Sequence, residues 1–127
     1  MYLISWLEDE ARIDTSLGGR ISVEEARAFV DDLTEIVESM DRPFLVTLDR
    51  SKAKELDRQS SDVLNDMKDR FLEFGAAQIV TIARDEQDVL RETSQRLQNV
   101  LEGREQVLLE PVVLVWDSPA SEQRKAA

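Results

Sequence analysis

The chain has 127 residues with 42% hydrophobic content, no cysteine, no histidine and a formal net charge of -11 at pH 7. One globular domain with a real core is expected, and disulfides, thiolate nucleophiles, thiolate metal sites and histidine-based acid–base chemistry are excluded. The charge argues against nucleic acid and anionic membrane as partners, since both demand clustered Lys and Arg, and points to a basic or neutral partner surface.

No apolar run approaches the roughly 18 residues that cross a bilayer, and Met1 to Leu7 lacks the basic region and cleavage site of a signal peptide. A cytoplasmic protein is expected. Four lysines stand against twelve arginines and 27 acidic residues, a balance that fits adaptation to high salt as well as an ordinary acidic protein.

Tyr2 to Leu7 reads as a first strand with apolar residues on both faces, Trp6 among the core. After the turn Glu8-Asp9-Glu10, alternation of Ala11, Ile13, Thr15 and Leu17 with polar residues predicts a half-buried second strand, antiparallel to the first. Gly18-Gly19 breaks it. This glycine pair lacks the third glycine of a dinucleotide fingerprint and the lysine of a phosphate loop, so it is read as turn geometry.

Ser22-Val23-Glu24-Glu25 supplies a capping box, with Glu25 reaching back to the Ser22 amide, and Ala26, Phe29, Val30, Leu33, Val37 and Met40 trace the buried stripe of a helix. Pro43 opens a third strand, and Phe44 to Leu48 is a continuous apolar run suited to a sheet centre covered on both faces. A polar loop is expected from Asp49 to Gln59. Ser60 or Ser61 then caps a second helix with the stripe Leu64, Met67, Phe71 and Phe74, ended by Gly75.

Ile79, Val80 and Ile82 mark a buried strand, and Asp85 caps a third helix with the stripe Val89, Leu90, Thr93, Leu97, Val100 and Leu101, stopped by Gly103. Val107 to Leu109 forms a short last strand. Pro111 interrupts, Val112 to Trp116 prefers an extended conformation, and Trp116 could be a core lid or an exposed anchor.

The order β-β-α-β-α-β-α-β predicts a single-domain α/β fold, a mixed sheet covered by about three helices, spanning residues 1–116, with a disordered tail from Asp117 to Ala127. The acidic groups Glu8-Asp9-Glu10, Asp31-Asp32 and Asp85-Glu86-Asp88 lack the ligand spacing of a calcium site and read as solvated faces. Nothing implies a metal or cofactor.

Gly19-Arg20-Ile21-Ser22-Val23-Glu24-Glu25-Ala26, the strand ending Leu48-Asp49, Asp57, and Gly75 ahead of Gln78 to Ala83 together resemble the STAS domains, and within them the SpoIIAA-like, anti-sigma-factor-antagonist branch. The resemblance covers residues 2–109. In the antagonists a strand-end aspartate is followed eight residues on by a second, then by a phosphorylatable hydroxyl and a glycine. Asp49 and Asp57 match that spacing, but Arg58 follows, and only a two-residue slip brings Ser60 or Ser61 to the acceptor position. The two serines are therefore either helix caps or phosphorylation sites.

The resemblance implies a non-catalytic, regulatory protein-interaction module that docks a regulatory protein partner through Asp49, Asp57, Arg58, Ser60 and Ser61, with self-association left open. The alternative from the residues is a small-ligand binder or minor enzyme using Asp49 and Asp57 in a cleft at the sheet edge. Two carboxylates share acid and base roles only where burial separates their pKa values.

Overall fold

A computed structural model describes residues 1–109. The first two strands, β1 (Tyr2–Leu7) and β2 (Arg12–Ile21), pair antiparallel across the 3-10 turn Glu8–Glu10, which Ala11 closes at a φ of 51°. There follow α1 (Val23–Glu38), β3 (Phe44–Leu56), α2 (Arg58–Phe74), β4 (Ala76–Ala83), α3 (Glu86–Gln95), α4 (Leu97–Leu101) and β5 (Glu105–Leu109). The strands lie side by side in chain order, and β2, β3, β4 and β5 are parallel. The result is a mixed α/β single domain with β3 at its centre. Among the described residues no helix is long and apolar enough to cross a membrane.

Each parallel crossover steps to the next strand in the same direction, so right-handed connections put every helix on one face of the sheet. The pleat then divides the strands. Ile13 and Leu17 of β2, Phe44, Val46 and Leu48 of β3 and Ile79 of β4 point to the helices, where Phe29, Leu33, Leu64, Met67 and Phe71 complete the core. The opposite face carries Leu3, Asp14, Leu45, Thr47, Asp49, Val80 and Ile82, and no described helix covers it. Val80 and Ile82 were expected buried with Ile79; Ile82 is buried and Val80 half-buried, but both lie on the face of the sheet opposite Ile79.

Several elements differ from the sequence expectation. Gly18-Gly19 does not end β2, which continues to Ile21 through two register irregularities, with Gly19 at a φ of 72°. The expected polar loop after Asp49 is instead strand. β3 runs on to Leu56 because β2 stays beside it, pairing Gly18 with Lys52 and Ile21 with Leu56. Asp49 is thus a mid-strand residue, flanked by Ser16 and Ile82, rather than the strand's end.

The helix starts follow side-chain capping. Ser22 Oγ accepts from the Glu25 N–H at 3.1 Å, as expected, but the Glu25 carboxylate pairs with the Met1 amine instead of the Ser22 amide. Asp57, not Ser60 or Ser61, caps α2, accepting from the Ser60 N–H at 2.8 Å. Asp85 caps α3 as expected.

The expected third helix is two, broken at Arg96, and its apolar stripe is turned outward: Leu90, Leu97 and Leu101 are exposed, while Asp88 and Glu92 are buried. Phe74 and Trp6, expected in the core, are 62% and 41% exposed. The expected extended segment Val112 to Trp116 and the tail beyond it lie outside the described residues.

Candidate functional site

Arg50 follows Phe44, Val46 and Leu48 at the strand period of two, so the pleat aims it at the helix side. There it is buried, paired with Glu92 and, at 3.3 Å, with Asp88 of α3. Asp88 and Glu92 sit four residues apart, on the single face of α3 that meets the sheet. Lys68 of α2 reaches Glu92 at 3.5 Å, and Arg91 reaches Asp88 at 2.6 Å. Here the interior of the molecule is ionic rather than apolar.

The chain satisfies these charges from several directions. Burial alone would raise the Asp88 carboxyl, but the Arg84 backbone N–H at 3.1 Å and the Arg50 and Arg91 guanidinium groups outweigh it and hold Asp88 below the usual carboxylate range. Burial lowers the Lys68 ammonium from its ordinary value, against the pull of Glu92 and Glu105. A second buried group lies at the end of α3, where burial would lower Arg96 but Glu105 at 2.6 Å and Asp69 at 2.7 Å hold it above its ordinary value. The helix is broken at Arg96, whose backbone leaves the helical region at a φ of -117° and a ψ of 22° and whose side chain bonds β5 and α2.

Beside the first ionic group, between the first two turns of α2, the second half of α3 and the carboxyl ends of β3 and β4, lies a cavity of about 580 Å³. Four arginines line it, Arg50, Arg58, Arg84 and Arg91, against two carboxylates, Asp62 and Glu92. Arg84 is held in place by the carbonyls of Ala53 at 3.5 Å and Lys54 at 3.1 Å, and no carboxylate pairs with its guanidinium among the described residues. Ser61, Asn65 and Gln95 complete a polar wall in which Leu56 alone is apolar.

The structure separates the residues expected to act together. Asp49 lies on the helix-free face, where its Oδ1 accepts from the Ser51 N–H at 2.9 Å and hydroxyl at 2.6 Å, in a shallow depression shared with Leu3, Thr47 and Ile82. Asp57 lines a different depression with Arg20, Ser22 and Lys54. Arg58 and Ser61 line the arginine cavity, whereas Ser60 is fully buried, its hydroxyl donating to the Ile21 carbonyl at 3.3 Å. Among the described residues no three acidic side chains converge as metal ligands.

Sequence reading missed Arg50, Arg84, Arg91 and Glu92, and Asp88, read as part of a solvated face, is instead fully buried. One signal was present in the alternation of β3, which extends from Leu48 to Arg50 without a break. The other was the Asp88/Glu92 spacing, which marks one helix face as clearly as two leucines would. No family model matches the chain, and no curated protein matches it.

Proposed function

We propose that this chain is a non-catalytic, regulatory protein-interaction module similar to the STAS domains of the anti-sigma-factor-antagonist kind, docking its partner through the end of β3 and the first turn of α2. The observation that carries this reading is the state of that turn. Asp57, Arg58 and Asp62 are exposed together, and Arg58 and Asp62 make no hydrogen bond or ion pair among the described residues. Charged side chains left unengaged at a helix start are available to a partner without the breaking of an internal pair. The order of strands and helices also agrees with the resemblance, apart from the divided third helix.

Any regulatory phosphate enters at Ser61 in this reading. Ser60 is sealed under the helix start, whereas Ser61 is half-buried and shares a cavity with Arg58, which would offset part of the added charge beside Asp57 and Asp62. Asp49 takes part only if the partner also reaches the helix-free face.

Capture from native cytosol by wild type, Arg58→Glu, Ser61→Asp and the Ser60→Ala/Ser61→Ala double variant tests this, with each protein first shown to be folded. Loss of the same captured proteins in Arg58→Glu and Ser61→Asp is expected. Unchanged capture in both, with the alanine variant altered only in thermal stability, would return the serines to a structural role and remove the docking surface. Turnover of any substrate that disappears in Asp49→Asn with the fold intact would overturn the non-enzyme reading.

A further inference from the structure

The net charge of -11 describes the molecule poorly at one place. In the cavity between α2 and α3, Glu92 is already engaged by Arg50 and Lys68, and Asp88 behind it by Arg50 and Arg91. Among the described residues, what remains on the wall is Arg58 and Arg84, two guanidinium groups without a carboxylate partner, opposed by Asp62 alone. Arg50 is 5% exposed, and its Nε–H has no acceptor among the described residues. With Arg58 unengaged and Arg84 held by backbone carbonyls alone, this wall holds more donor capacity than the described residues use.

The volume sets the size of the occupant. About 580 Å³ exceeds what a bare oxyanion fills and falls within the range of small-molecule sites. The lining sets its chemistry. Guanidinium groups recognise phosphate oxygens through paired, charge-assisted hydrogen bonds, while Ser61, Asp62, Asn65 and Gln95 offer donors and acceptors suited to hydroxyl groups. With Leu56 as the one apolar side chain, an aromatic or aliphatic ligand would leave polar groups unmatched.

We infer that this cavity is a binding site for a phosphorylated polyol such as a sugar phosphate, its phosphate held by Arg58 and Arg84 and its hydroxyls by the polar wall. The site lies past the carboxyl ends of parallel strands β3 and β4, where open α/β sheets present their loops to ligands. It goes beyond the interaction reading and does not depend on it, because ligand binding and partner capture are measured separately.

The test is calorimetric titration of the purified chain with ribose 5-phosphate, ribose and inorganic phosphate, using wild type, Arg58→Ala and, as a charge-matched control, Arg27→Ala on the exposed face of α1. Arg58 has no internal partner, so its variant keeps the fold, which thermal melting verifies. Saturable binding of ribose 5-phosphate is expected, tighter than that of inorganic phosphate, with none for ribose. Arg58→Ala should weaken it by about tenfold or more, the worth of one charge-assisted contact, and Arg27→Ala should leave it unchanged. Absence of saturable binding, equal binding of phosphate and its ester, or equal weakening in the two variants would overturn the inference.

Discussion

At the level of single residues, the decisive side chains are those that bring charge into the interior. Removing one partner from a buried ionic group leaves the other uncompensated, a loss of about 3 to 5 kcal/mol. Asp88 faces Arg50, Arg91 and the Arg84 amide, so Asp88→Asn should cost in that range at neutral pH. The pH dependence has a definite sign. The folded state holds the Asp88 carboxyl below its ordinary value, so its stabilisation is present above the unfolded pKa of about 3.9 and disappears as pH falls through the lower folded value. Urea unfolding of wild type and Asp88→Asn should therefore show a gap that is full at pH 7 and closes in acid. A gap constant down to acid pH would show that hydrogen-bond geometry, not charge, is what the aspartate supplies.

Among the elements, legibility followed apolar periodicity and failed where charge took its place. α1 and the core half of α2 were readable because Phe29, Leu33, Leu64, Met67 and Phe71 recur at helical spacing and are all buried. The second half of β3 was not, because after Leu48 its residues other than Ala53 and Leu56 are polar and only its pairing with β2 makes them strand. In the expected third helix the same criterion chose the wrong face: leucines at 90, 97 and 101, now divided between α3 and α4, outlined a stripe, but the buried acids at 88 and 92 have cations waiting on β3 and α2. The arginine cavity was out of reach for the same reason, since it joins residues from β3, α2, α3 and the β4–α3 connection through pairings between unlike side chains. Capping moved too. Asp57 holds the Ser60 amide, and the Ser61 amide goes to the Asp57 carbonyl, so Asp57→Ala should lower stability by about 1 kcal/mol and Ser61→Ala by no more than about 0.5 kcal/mol. Thermal melts of the two variants decide it; a larger loss from Ser61→Ala would restore that serine as the helix cap.

For the whole molecule, two electrostatic regimes coexist and salt separates them. The surface carries most of the excess negative charge, spread over groups such as Glu8-Asp9-Glu10 and Asp31-Asp32, and mutual repulsion there disfavours the compact state. The pairs Arg50–Glu92 and Arg96–Glu105 are buried, and added ions screen them little. Salt should then relieve repulsion without dissolving the interior pairs, so the melting temperature should rise as sodium chloride is added at pH 7. The shape of that rise separates the two readings of the acidic composition. An ordinary acidic protein gains most of its stabilisation by about 0.1 to 0.2 M, where the screening length has shrunk to about 8 to 10 Å; one adapted to high salt continues to gain toward about 1 M, where it is about 3 Å. A melting temperature that falls with salt would mean that exposed pairs such as Arg20–Glu55 and Arg12–Asp14 outweigh the repulsion, and that the surplus of acid is not a net burden on this fold.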